Sequence, residues 1–463
     1  MRPLCIANGS DQKYQRLEVP MRWGRPARWL PLIYFLATFY LVVLLLSHFG
    51  DGISPLQMLP QRTKLKSDYD YPHEGVTVKK FTLILNSTRY PEPMEIESVL
   101  TDDKIATFEE RLLPSVDYKA PAKIILSWDA GHGPENLGGC PDWNCLFTYD
   151  RAKADQASVI LTSSDEFQRR SREQILAFYS QESPKNMPTR APKAYYNVSL
   201  GFRHDTGGAS PYGYTVKLAK RKSIGEVVNS SRLEGKTKGA AWFVSHCNTN
   251  SRREDLVTKM QKYFPVDIYG HCLNGANCPR GEKCEDMLDD DYHFYLAFEN
   301  SICTDYITEK VWNQGYGRDI VPVVLKRSIA HNRLPPNSFI AADDYDTVQD
   351  LADRMQYLIK NKTAYSAKIK EHCSEMFHWR RDYTTIYLNG EQHDILERPW
   401  GFCQLCRMAW ESPKKERVID DFRHWWEESC EEDGATVAKM LSHTEARENE
   451  KEKMLRANRI SVT

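Results

Sequence analysis

The segment Phe294-Tyr-Leu-Ala-Phe-Glu-Asn-Ser-Ile-Cys-Thr-Asp-Tyr-Ile-Thr-Glu-Lys310 concentrates the groups best suited to chemistry. An apolar, strand-like run ends in polar Glu299, Asn300 and Ser301, and a short loop leads to Asp305, a residue type that favours a helix N-cap. The helix expected over Tyr306 to Gly315 then presents Tyr306, Glu309 and Lys310 at i, i+3 and i+4 on one face. A strand end, a loop and a helix N-terminus together suit a phosphorylated ligand at the carboxyl edge of a sheet. The helix dipole and Lys310 would counter pyrophosphate charge, and Glu309 would accept hydrogen bonds from sugar hydroxyls. The same spacing also fits an amphipathic helix carrying a solvated Glu-Lys pair, and spacing alone does not choose between the two.

Elements that could position this segment recur on both sides of it. Lys123-Ile-Ile-Leu-Ser-Trp128, Ser158-Val-Ile-Leu-Thr162 and Ile175-Leu-Ala-Phe-Tyr179 read as buried strands, followed by a loop-rich stretch to about Gly239. A second block starts at Ala240. Its strands are Ala241–Ser245, Val266–Tyr269, His293–Phe298, Ile320–Leu325 and Ser338–Ala341. Its helices are Arg252–Phe264 and Thr347–Lys360, the latter with Val348, Leu351, Met355, Leu358 and Ile359 on one face. Strand–helix alternation implies parallel sheets covered by helices, so the fold class is α/β, with two Rossmann-like domains facing across a cleft. The expected boundaries are 120–239 and 240–388, preceded by a Pro-punctuated stem at 50–119 and ending in a charged, frayed tail at 444–463.

Composition narrows the class. With 463 residues, 41% hydrophobic and 27% charged, the chain is neither disordered, collagen-like nor a coiled coil. Lys+Arg 62 against Asp+Glu 63 gives a formal net charge of −1, which argues against a nucleic-acid partner. A mean hydropathy of −0.58 excludes a multi-span membrane protein. One run, Trp29 to Phe49, lacks Asp, Glu, Lys and Arg, and as a helix it would span roughly 31 Å, about one hydrocarbon core. Arg16, Arg22, Arg25 and Arg28 precede it and only Arg62 and Lys64 follow closely, so residues 1–28 are expected in the cytosol and the rest in a lumen or outside the cell. A cleaved signal peptide is the alternative, disfavoured by the length of the run and the lack of a small-x-small site after it.

A lumenal body fits the sequons at Asn86, Asn197, Asn229 and Asn361 and the cysteines, eleven of which follow the anchor. Eleven is odd, so at least one is free or pairs between chains. Cys403-Gln-Leu-Cys406 alone is half a zinc ribbon, and a lumenal location favours a disulfide there. Gly131-His-Gly133-Pro-Glu-Asn lacks the third glycine of a dinucleotide fingerprint, Gly235-Lys-Thr237 lacks the upstream glycine of a phosphate loop, and His-Glu-x-x-His does not occur. Asp289-Asp-Asp291 is read as a solvated acidic loop, and no metal site is expected.

Phe298-Glu-Asn-Ser301 followed by Asp305-Tyr-Ile-Thr-Glu-Lys310 is similar, nearly residue for residue, to the signature of the α1,3-fucosyltransferase family. Val321-Pro-Val-Val324, Pro336-Asn-Ser-Phe-Ile340 and Trp242-Phe-Val-Ser-His246 with Arg253 extend the likeness. So do Glu182-Ser-Pro184 and Phe202-Arg-His-Asp205 with Pro211-Tyr-Gly213, and the resemblance covers about residues 120–430. Ile125-Leu-Ser-Trp-Asp-Ala-Gly-His132, Gly139-Cys-Pro-Asp-Trp-Asn-Cys145 and Arg398-Pro-Trp-Gly-Phe-Cys403 look closest to the invertebrate branch that fucosylates N-glycan cores. Lys326 departs from the glycine of many members, and a Tyr usual in the family is missing near His331.

The resemblance implies a GT-B arrangement in a type II Golgi membrane protein that transfers L-fucose from GDP-β-L-fucose to GlcNAc with inversion. It implies Glu182 as the base, Arg253 and Lys310 on the pyrophosphate, and Asn300, Tyr306 and Glu309 lining the donor pocket, with Arg203, Tyr212 and Gly213 as possible supports. It also implies that Cys140, Cys145, Cys403 and Cys406 tie residues 389–443 back to the first domain, with connectivity open, and it leaves Cys303 as the candidate free thiol. No tightly bound cofactor is implied, and any effect of Mn²⁺ or Mg²⁺ would be stimulatory. Two other functions remain open: the same reaction on outer-arm lactosamine or LacdiNAc, and an inactive, membrane-tethered glycan-binding protein. Retained Glu182, Arg253, Glu309 and Lys310 argue against the latter. Nothing in the sequence sets the oligomeric state.

Overall fold

The computed structural model describes residues 81–83, 94–101, 108–112, 115–278, 283–361, 365, 376–388, 393, 395–411 and 418–460. The Trp29–Phe49 run, Asn86 and Cys373 lie outside these residues. Among the described residues no helix is long and apolar enough to cross a membrane.

Strands β1 (Phe81–Leu83) and β2 (Met94–Val99) lie within the span read as stem. Strands β3 (Lys123–Ser127), β4 (Cys145–Thr148), β5 (Val159–Thr162), β6 (Ile175–Ser180) and β7 (Val198–Gly201) form a parallel sheet in the order β4-β3-β5-β6-β7. After β8 (Gly213–Leu218) come β9 (Lys238–Phe243), β10 (Val266–Tyr269), β11 (Tyr292–Leu296), β12 (Val321–Val324) and β13 (Ile340–Ala341). They form a second parallel sheet in the order β10-β9-β11-β12-β13. The two sheets therefore share one doubly wound order, 2-1-3-4-5, with switch points between β3 and β5 and between β9 and β11. The expected α/β architecture with two Rossmann-like sheets is the one observed.

A third, antiparallel sheet of order β1-β2-β8-β14 is closed by β14 (Tyr383–Tyr387). It makes β2 part of the folded body, because Ile96 and Val99 pack with Tyr214, Val216 and Ile386 in one apolar cluster. Strands β7 and β8 occupy the stretch read as loop-rich; β7 has only four residues, and β8 begins at a glycine after a Pro- and Gly-containing turn.

The second sheet carries its own helices. Helix α1 (Arg253–Met260) follows β9, and α2 (Val348–Lys360) is capped by Thr347, whose hydroxyl accepts from the Asp350 amide. Val348, Leu351, Ala352, Met355 and Leu358 of α2 are buried at helical spacing against Ala240, Trp242, Phe294, Leu296 and Val323. The first sheet is covered instead by the end of the chain. Helix α3 (Gly401–Trp410), buried at every residue, packs Leu405, Cys406, Met408 and Ala409 on Ile125, Val159, Ala177 and Val198. Helix α4 (Phe422–Glu427) sets Phe422 and Trp426 on the opposite face, against Leu126, Ile160, Leu176 and Phe178. Alternate residues of each strand thus serve two different helices.

Disulfides Cys140–Cys403 and Cys145–Cys406 fasten α3 to the first domain, crossing between the two motifs. Cys247–Cys272 and Cys278–Cys284 are the next two. Cys303 is not a free thiol: it is bonded to Cys430, which brings the segment after α4 onto the loop beyond β11. Residues 444–460 of the span read as a frayed tail are helical. Helix α5 runs Ala435–Ile460 and buries Val437, Met440 and Leu441 in the cluster that holds α1 and α2.

Candidate active site

Glu182 stands just beyond the carboxyl end of β6, with its side chain exposed. Its backbone is pinned by Ser180, whose hydroxyl accepts from the Glu182 amide at 3.1 Å and donates to its carbonyl at 3.0 Å. Its Oε2 accepts from Asn186 Nδ2 at 3.3 Å and, across to the second sheet, from the Tyr306 hydroxyl at 3.3 Å. Next to it the buried Ser183 and Ser301 hydroxyls lie 2.9 Å apart. Two segments remote in sequence therefore meet through direct side-chain bonds.

The segment after β11 folds differently from its pattern. Asp305 does not cap a helix. It has φ +61, and its carboxylate accepts from the His204 amide at 3.0 Å and from Arg333 at 2.8 and 3.0 Å, tying the two domains together. The helical turn begins only at Lys310 and is of π type, Lys310–Gly315, so Tyr306 precedes it and the expected three-residue face does not form. Glu299 instead fixes the residues just before the turn. Its Oε1 accepts from the Thr308 amide at 2.8 Å and the Thr308 hydroxyl at 2.9 Å, and its Oε2 meets Lys310 Nζ at 2.8 Å. Lys310 also donates to Thr308 Oγ1 at 2.8 Å and makes a longer 3.4 Å contact with Glu309. Sequence reasoning gave Glu299 no role; its only signal was an acid at the end of a fully buried strand.

Tyr306 and Tyr212 converge on the same carboxylates. Burial, then the charges of Glu299 and Glu182, hold the Tyr306 phenol well above its ordinary range, and burial with Glu309, Glu299 and Glu182 does the same to Tyr212. Both therefore stay protonated and act as donors: Tyr306 to Glu182 and Tyr212 to the Gln181 carbonyl at 2.9 Å. Glu182, Tyr306, Glu309, Lys310 and Tyr212 thus gather at one place.

The other candidates do not open into it. Arg253 is 2% exposed and donates to the Phe298 carbonyl at 2.7 Å and the His246 carbonyl at 2.6 Å, clamping the ends of β9 and β11 at their switch point. Asn300, 7% exposed, accepts from the Ser251 amide through its carbonyl; its Oδ1 is buried without a partner among the described residues. Arg203 grips Asp205 with two nitrogens and stacks on Trp425 at 3.9 Å, a structural contact. Gly213 is a packing glycine: a Cβ there would meet Trp312 at 2.6 Å. A cavity of about 650 Å³ lies alongside, lined by His204, Thr304, Asp305, Lys326, Asn332 and Glu428, and Lys326 pairs with Glu431 on its wall.

The acidic triplet is not a solvated loop. Asp289 bonds Arg318 at 2.9 Å, Asp290 lies 3.3 Å from Arg232 and Asp291 2.9 Å from Lys238, around the short helix Met287–Asp290. Among the described residues no group of His, Cys, Asp and Glu is arranged to hold a metal ion. Of the sequons, Asn197 accepts from the Leu176 amide and Arg169 at the sheet edge, Asn229 caps a short helix through Arg232 N, and Asn361 donates to the Tyr357 hydroxyl.

Residues 120–213 match the family model described as "Fucosyltransferase, N-terminal", and residues 233–425 match "Glycosyltransferase family 10 (fucosyltransferase) C-term". The chain is 48% identical over 382 residues to "Alpha-(1,3)-fucosyltransferase fut-1" of Caenorhabditis elegans, covering 81% of this chain and 85% of the relative. It belongs to glycosyltransferase family 10, the fucosyltransferases.

A second relative, "Alpha-(1,3)-fucosyltransferase C" of Drosophila melanogaster, is 31% identical over 73% of this chain and 84% of its own length. The solved "Crystal Structure of alpha1,3-Fucosyltransferase with GDP-fucose" covers 67% of this chain and 97% of its own at 15% identity and a TM-score of 0.41. In this fucosyltransferase the N-terminal match holds the first parallel sheet and Glu182, and the C-terminal match holds the second sheet with Glu299, Tyr306 and Lys310.

Proposed function

We propose that this fucosyltransferase transfers L-fucose from GDP-β-L-fucose, in α1,3 linkage and with inversion, to GlcNAc of glycoprotein N-glycans, the innermost core GlcNAc first. We place it in the Golgi membrane as a type II protein held by the Trp29–Phe49 run, its catalytic body lumenal. The two relatives named above support the linkage, and membership of the fucosyltransferase family supports a fucosyl donor. The observation that carries the reaction is the meeting of an exposed carboxylate, Glu182, with the donor segment at Tyr306.

In a single displacement, Glu182 takes the proton from the acceptor hydroxyl as that oxygen attacks the anomeric carbon, and GDP leaves from the opposite side. Lys310 meets the charge that develops on the leaving diphosphate, and Glu309 takes hydroxyl hydrogens of the donor. Arg253 holds the strand ends that frame the donor from behind, through the Phe298 and His246 carbonyls. Mn²⁺ or Mg²⁺ has no assigned step and is expected at most to stimulate. The test is the purified lumenal body with GDP-fucose and a defined glycan panel, with linkage read by mass spectrometry. Fucose on the reducing-end core GlcNAc supports the reading. Transfer to lactosamine or LacdiNAc alone would move the acceptor to the outer arm, and no transfer to any glycan would restore the binding-protein alternative.

A further inference from the structure

A buried carboxylate that the reaction above leaves unused is Glu299. It sits just beyond the carboxyl end of β11, 8% exposed, and its charge adds to the burial that keeps the nearby Tyr212 and Tyr306 phenols protonated. A carboxylate taken this far from water must be compensated. Three groups compensate it, all from the end of the same loop: the Thr308 amide, the Thr308 hydroxyl and the Lys310 ammonium. An ammonium has three N–H donors. Lys310 commits two of them at 2.8 Å, to Glu299 and to Thr308 Oγ1, and the third makes only the 3.4 Å contact to Glu309.

We infer that Glu299 is a positioning residue for the donor: through Thr308 it fixes the start of the Lys310–Gly315 turn, and through its own Oε2 it holds the Lys310 ammonium so that one N–H is presented to the diphosphate. Lysine is otherwise a point charge on a flexible stem, poorly suited to a fixed geometry. Holding it in a carboxylate–hydroxyl cradle removes that freedom before the ligand arrives, which is where preorganisation gains affinity. The charge of Glu299 also offsets that of Lys310 in the empty site, so the cradle costs little when no diphosphate is present. This inference rests on the reading that Lys310 meets the diphosphate.

The test is a double-mutant cycle on GDP binding, measured by calorimetry on the purified lumenal body, with donor and acceptor KM read beside it. Glu299→Asp keeps the charge but withdraws the carboxylate by one methylene. It should weaken GDP by about tenfold and raise the donor KM while leaving the acceptor KM unchanged, as expected for a lost charge-assisted hydrogen bond. In the Lys310→Ala background the same change should cost less than about twofold, because the group it positions is gone. Thr308→Val, which removes the hydroxyl shared by both partners and nearly preserves shape, should behave like Glu299→Asp and guards against a folding defect in that variant. An equal loss in both backgrounds, or full GDP affinity in both Glu299→Asp and Thr308→Val while Lys310→Ala is impaired, overturns the inference and leaves the donor lysine standing. Full GDP affinity in Lys310→Ala removes the reading of Lys310 and the inference with it.

Discussion

The Tyr306 hydroxyl donates to Glu182 Oε2 at 3.3 Å, joining the donor segment of the second sheet to the candidate base of the first. With the Ser183–Ser301 contact at 2.9 Å and the grip of Asp305 on His204 and Arg333, it makes the junction between the two sheets a set of specific polar bonds. Placement of the candidate base is therefore mechanically linked to the loop that follows β11.

Glu182 is exposed and, among the described residues, its carboxylate accepts two hydrogen bonds, both at 3.3 Å, so replacing it should not disturb the fold. Glu182→Gln should lower kcat by about 10² to 10⁴, the usual contribution of a positioned base, with GDP affinity intact. Single-turnover assays beside GDP titration check it. Turnover like that of the native enzyme would remove Glu182 as the base.

Tyr306→Phe deletes one donor and keeps a ring that packs on Phe202 at 4.8 Å between centroids. The expected result is a fall in kcat of about tenfold, as for one lost hydrogen bond to a charged group, with thermal stability nearly unchanged. An unaltered kcat would show that Glu182 finds its place without Tyr306.

Lys310→Ala should weaken GDP-fucose and GDP alike, by about 10- to 100-fold, since a charge-assisted contact to the diphosphate is lost. The acceptor KM should stay put. Equilibrium binding of GDP, which needs no catalysis, separates this from a damaged base.

Removing the two disulfides of α3 tests what covers the first sheet. The Cys403→Ala/Cys406→Ala variant frees a helix whose ten residues are all buried and whose partners Cys140 and Cys145 lie over two hundred and sixty positions away. Each bond should contribute about 2–4 kcal/mol, so the denaturant midpoint should fall sharply under non-reducing conditions. Equal midpoints for variant and native protein would mean that packing of Leu405 and Met408 alone suffices.

What could be read in advance was what depends on local pattern. Val321–Val324 and Val159–Thr162 are short apolar runs, and α2 shows a clean helical stripe opened by a Thr N-cap, so they were visible without the fold. The grouping of Glu182 with Tyr306 and Lys310 came from family resemblance, since no local spacing links residues so far apart. Three things stayed hidden because they depend on partners distant in sequence. Glu299, not Asp305, holds the chain just before the helical turn through the Thr308 amide, because Arg333 and the His204 backbone claim Asp305. Arg253 is consumed by two carbonyls that appear only when β9 and β11 lie side by side. Cys303 is oxidised because α4 and the residues after it fold back to present Cys430.

Stability should decline on the acid side through His204. Its imidazole is buried, and desolvation, with Arg333 and Arg111 adding to it, holds it well below its ordinary range; burial and His393 lower His132 in the same direction. In the unfolded chain both rings take up a proton as pH falls through about 6.5, while in the folded chain they resist. The unfolded state then binds more protons, so the free energy of unfolding drops with falling pH by up to about 1.4 kcal/mol per unit for each ring, from about pH 6.5 down to the folded-state value. Above pH 6.5 both rings are neutral in either state and contribute no slope. His204→Gln removes one titrating group while keeping a polar side chain, so its urea midpoint should vary less between pH 7 and 5 than that of the native protein. An identical pH slope in the variant would assign the acid sensitivity elsewhere.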